Sequence, residues 1–64
     1  MSAAVWDAQA EHDIGVLIRR YLHEHPAPPG SLAAPELEAA ARDLEAAGKQ
    51  QLDRLAATRL RAVR

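Results

Sequence analysis

Sixty-four residues make one domain at most, near the size at which a single core barely holds without a disulfide, a metal or a second chain. There is no cysteine, which excludes a disulfide scaffold and thiol chemistry, and the formal net charge is −1. Fifteen of the hydrophobic residues are alanines and none is Phe, so the large side chains available for a core are few.

Ala, Leu, Arg and Glu dominate, a composition that favours helix, and the β-branched residues are too scattered to suggest strands. No apolar run approaches the length of a membrane span, and no basic segment leads into an apolar one as in a secretory signal. The expectation is therefore a cytoplasmic protein with no membrane association. Charge is unevenly laid out: residues 1–48 hold three basic side chains against eight acidic ones, and residues 49–64 hold five against Asp53 alone.

The first predicted helix runs from about residue 3 to 24, with Ser2 or Asp7 as its N-cap. Trp6, Ala10, Ile14, Leu17, Ile18, Tyr21 and Leu22 fill an arc of about 160°, wider than the stripe of about 100° that one neighbouring helix covers. This arc is the expected core face. Val5, His12, Val16, Arg19 and His23 lie on the side opposite to it. The helix must end by His25, because Pro26 pushes the residue before it out of the α region.

Residues 25–34 form the connector. Pro29-Gly30 suits the two central positions of a type II turn, and residues 31–34 are expected to turn so that Leu32 tucks under the hairpin. Pro35 then suits the first position of a long second helix, to about residue 62. Its apolar or small residues Leu37, Ala41, Leu44, Gly48, Leu52, Leu55, Ala62 and Val63 keep the spacing of one helical face across Gly48. Opposite charges at i, i+4 support it: Glu38 with Arg42, Glu45 with Lys49, and Lys49 with Asp53. The alternative is a break at Gly48, giving a three-helix bundle.

Little in the chain points to catalysis. Ser2, Ser31, Thr58 and Tyr21 stand in no nucleophile motif, and Gly15, Gly30 and Gly48 are isolated rather than gathered in a phosphate-binding loop. His23 and His25 point to different helix faces, and His12 and His23 share one but lie eleven residues apart, about 16 Å at the helical rise, so neither metal nor cofactor is expected.

The reading is an all-α helical hairpin that dimerises into a four-helix bundle and serves as a non-catalytic interaction, accessory or assembly protein. Trp6, Ile14, Leu17, Tyr21, Leu44, Leu52 and Leu55 are the expected oligomer interface. His12, Val16, Arg19 and His23 are the candidate surface for a larger protein partner. The alternative function is a small nucleic-acid-binding or regulatory protein using Arg54, Arg61 and Arg64 as an anion patch. Acidic side chains elsewhere argue against nucleic acid as the principal ligand.

Overall fold

A computed structural model describes residues 2–63 as two helices packed against each other, α1 (Ala3–Glu24) and α2 (Ala33–Val63), with no strand among the described residues. Ser2 caps α1, its hydroxyl accepting from the Val5 amide at 3.2 Å. At the other end the His25 amide donates to the Tyr21 carbonyl at 2.8 Å and the His25 ring stacks on that of Tyr21, with centroids 4.4 Å apart.

The connector reverses the chain through the proline-glycine turn. The Ser31 amide donates to the Pro28 carbonyl at 3.2 Å, and Gly30 adopts φ +86°, which a type II turn requires at its third position. α2 starts two residues earlier than Pro35, at Ala33, with the Ser31 hydroxyl accepting from the Ala34 amide at 3.3 Å. Pro35 thus falls inside the first turn, where a missing amide hydrogen is tolerated. Leu32 does not tuck under the hairpin: it is 87% exposed, α2 beginning directly after it at Ala33.

α2 is continuous through Gly48, so the three-helix alternative does not form. The reason lies in the packing. A Cβ built on Gly48 would stand 2.5 Å from the Ala8 carbonyl oxygen and 2.6 Å from the His12 amide nitrogen. One on Gly15 would stand 2.6 Å from the Ala41 carbonyl oxygen and 2.9 Å from the Glu45 amide nitrogen. The helices therefore meet backbone to backbone, with glycine where each passes closest to the other. Ala8 and Ala41, 1% and 2% exposed, complete a contact of small residues.

This contact corrects the expected core face of α1. The helix turns Ala8, Gly15 and half-buried His12 and Leu22 toward α2, and its arc of large residues is left mostly outside. On a helical wheel the two stripes lie about 150° apart. α2 does use its expected face: Ala41 and Gly48 are buried, and Leu44, Leu52 and Leu55 are half-buried. Large side chains on α1 would hold the backbones apart, whereas small ones let many atoms of both helices approach to contact distance.

The hairpin is long and thin, 54 by 16 by 15 Å, with a radius of gyration of 15.2 Å. A compact chain of this length would have a radius of gyration of about 11 Å. α2 also outruns α1. Since Gly48 sits between Ala8 and His12, the stretch of α2 from about Thr58 to Val63 projects past the start of α1.

Candidate functional site

The outer face of α1 is the largest feature that the fold leaves unpartnered. Trp6, Ile14, Leu17 and Tyr21 are between 49% and 62% exposed, and their spacings of eight, three and four residues keep them on a single helical stripe. Ala10 fills the gap between Trp6 and Ile14. The stripe exists because α1 is apolar on two sides: small residues go to α2, and the aromatic and branched ones remain.

The stripe has defined borders. Gln9 and Asp13 flank it beside Trp6, the Gln9 side-chain amide donating to the Asp13 carboxylate at 2.9 Å. That carboxylate also lies 3.1 Å from the His12 ring nitrogen, and these two hydrogen bonds, His12 first, hold its pKa below the ordinary 3.8. Arg20 and Glu24 pair at 3.1 Å on the same border. At the turn end, Tyr21, Leu22, Leu37 and the connector prolines Pro26 and Pro28 line an open cleft of about 290 Å³ that prolongs the apolar surface.

The remaining expected interface residues, Leu44, Leu52 and Leu55, are half-buried against α1 and present only their edges to solvent. They help to close the hairpin itself. Leu52 and Leu55 also line a small cleft with Val5, Ala56 and Arg59.

The candidate partner surface is split by the fold. Arg19 forms an ion pair with Glu45 of α2, and His12 is half-buried against Gly48, so both face the other helix. Val16 stays exposed, and His23, exposed like Arg19, lines with it an open cleft against Glu38, Ala41 and Arg42 of α2. The physical reason is the one that moved the core face: the side of α1 read as outer from its polarity is the side with Ala8 and Gly15 on it. Glu45 correspondingly does not pair with Lys49, and among the described residues none of the three expected pairs along α2 closes to ion-pair distance.

Of the anion patch, Arg54 and Arg61 are exposed and lie on the side of α2 away from α1, while Arg64 lies outside the described residues. No group of three or more His, Cys, Asp or Glu side chains among the described residues is placed to hold a metal ion. No helix among them is long and apolar enough to cross a membrane.

An antiparallel two-helix hairpin closed by glycine and alanine, with its large apolar side chains outside, is the class that fold and surface define. Compared with family models, curated proteins and solved structures, the chain matches none.

Proposed function

We propose that this chain is a small non-catalytic assembly protein that works as a homodimer, two hairpins burying their α1 stripes against each other in a four-helix assembly with the two α1 helices at its centre. The observation that supports it is the distribution of large side chains: among the described residues none is fully buried within the hairpin, while Trp6, Ile14, Leu17 and Tyr21 share one exposed stripe. Small-residue contact with half-buried leucines beside it removes little apolar surface from water, which leaves the hairpin short of burial for its length.

The area supports the same reading. The chain exposes 5276 Å², whereas a compact monomer of this mass exposes about 4,000 Å². The excess exceeds the roughly 800 Å² per partner that a standard stable interface covers. A second copy of the hairpin supplies a stripe of the same chemistry and length, as a two-fold symmetric contact requires.

The test is Leu17→Glu, which places a carboxylate at the centre of the stripe on a side chain 58% exposed in the hairpin. The wild-type chain should sediment as a dimer, and the variant should lose the dimer at concentrations where the wild type keeps it. A variant that dimerises like the wild type would contradict the proposal.

A further inference from the structure

The two ends of the hairpin are unlike, and each presents what the other lacks. At the open end, Val5 of α1 and Leu52, Leu55 and Ala56 of α2 line an open cleft of about 170 Å³ together with Arg59. Gly48 lies level with the middle of Ala8 and His12, so Leu55 is level with Ala3, where α1 begins, and Arg59 stands one turn beyond it on the overhang. Arg59 follows Ala41 by eighteen residues, a whole number of helical turns, and so keeps to the face of α2 that meets α1. On the overhang α1 has ended, and Arg59 is exposed. At the turn end, Leu32 is 87% exposed, more than any other large apolar side chain among the described residues. Glu36, also exposed, follows one turn later on the same side of α2, the side away from Ala41 and Gly48. Neither Arg59 nor Glu36 forms an ion pair among the described residues. The charges of the two ends are opposite: residues 54–61 hold Arg54, Arg59 and Arg61 and no acid, whereas residues 24–38 hold Glu24, Glu36 and Glu38 and no Lys or Arg.

We infer that hairpins join end to end, the open end of one taking the turn end of a second copy, so that Leu32 of the second enters the cleft beside Val5 and its Glu36 pairs with Arg59. No residue of the Trp6–Tyr21 stripe takes part, so the joint goes beyond the dimer and does not rest on it. The register fits. Leu55 to Arg59 and Leu32 to Glu36 are each a step of four residues, about 6 Å along a helix. With the two α2 helices running in the same direction, the leucine therefore meets the cleft where the glutamate meets the arginine. The opposite charges select this pairing, since two open ends would set arginines against arginines and two turn ends glutamates against glutamates. The joint uses different surfaces on its two sides, which makes it heterologous, and repeating it gives a row rather than a closed pair. One leucine and one exposed ion pair make a small contact, so the joint forms at high concentration.

The experiment uses the full chain at high micromolar concentration. Single-cysteine variants Ala33→Cys, at the turn end, and Thr58→Cys, on the overhang, are mixed in equal amounts and joined with a short bismaleimide; no native cysteine competes. A dimer docked through the α1 stripes holds its two α2 helices on opposite outer sides and does not bring these positions together. The 33–58 cross-link should exceed the share, relative to 33–33 and 58–58, that random collision gives. Leu32→Asp in the Ala33→Cys chain, at a side chain that projects into solvent and whose loss leaves the hairpin folded, should return it to that random share. Arg59→Glu in the Thr58→Cys chain should do the same, and adding Glu36→Arg to the Ala33→Cys chain should then restore the excess. Leu17→Glu in both chains, which removes the dimer, should leave the excess in place. A 33–58 product at the random share in the unmodified background would overturn the joint and leave the dimer standing. An excess that survives both Leu32→Asp and Arg59→Glu, or one that disappears with Leu17→Glu, would overturn it as well.

Discussion

Replacing Gly48 with Ala sets two effects of opposite sign against each other. Helix propensity alone favours Ala by about 1 kcal/mol in a helix interior. Against it, the new Cβ would stand 2.5 Å from the Ala8 carbonyl oxygen and 2.6 Å from the His12 nitrogen, where ordinary contact begins at 3.4 Å. Both obstacles are helical backbone, so neither yields as a flexible side chain does. The helices must separate by most of an ångström, and a gap of about that size forfeits a quarter to a half of the dispersion attraction of the atoms lining it. Overpacking of this kind costs about 1–3 kcal/mol; with rigid backbone on both sides the upper end applies, leaving a net loss of about 2 kcal/mol. For a domain of this size that lowers Tm by roughly 8–16 °C. The assay is thermal melting by circular dichroism at 222 nm, at one fixed protein concentration because a dimer's Tm depends on it. Ala47→Gly, one residue away on the exposed side, is the control and should lose only the propensity difference of about 1 kcal/mol. A Gly48→Ala chain more stable than the wild type would mean that the backbones do not meet there, and the close-packed hairpin would have to be abandoned.

Three further outcomes are expected. Gly30→Ala should destabilise the chain by about 1 kcal/mol, although nothing lies within 4 Å of the added Cβ, since φ is +86° and only the backbone is strained; an unchanged melting curve would mean that the turn relaxes to another type. The Asp13 carboxyl should titrate below 3.8 by NMR, and His12→Ala should raise it toward that value; because the folded pKa is the lower one, its small contribution to stability is present above the ordinary value and is lost as pH falls through the folded one. Fluorescence anisotropy with mixed DNA and RNA at about 100 mM salt should show no sub-micromolar binding, because few exposed cations share a face and acids crowd the rest; tight binding that falls steeply with salt and vanishes on replacing Arg54, Arg61 and Arg64 with Ala would reverse this.

α2 was legible from its sequence because its large and small apolar residues lie on the same face, so the side with Leu44, Leu52 and Leu55 is also the side with Ala41 and Gly48. Either criterion gives the same answer there. The reversal was legible too, since proline before glycine allows few backbone paths and Gly30 takes the positive φ that the turn needs. α1 was misread because its two criteria disagree. Trp6, Leu17 and Tyr21 dominate any hydrophobic sum, yet Ala8 and Gly15 decide how near a second backbone can come. The signal was present in spacing rather than in hydrophobicity: Ala8, Gly15 and Leu22 repeat every seventh residue, and so do Ala41, Gly48 and Leu55 on the other helix. Matching heptads on two helices of one hairpin, each with a small residue at two positions and a leucine at the third, mark a close antiparallel contact. The split of the His12, Val16, Arg19 and His23 surface follows from the same misreading.

The dimer depends above all on whether the Trp6–Tyr21 stripe is covered by a second copy. Sedimentation equilibrium of the unmodified chain at tens of micromolar measures it. With a chain of 7.0 kDa, the expected result is a single species of twice that mass, with a Trp6 emission maximum that shifts to the red as dilution separates the protomers. A helical species of 7.0 kDa that persists to high micromolar concentration, its Trp6 emission already that of a water-exposed indole, would contradict it.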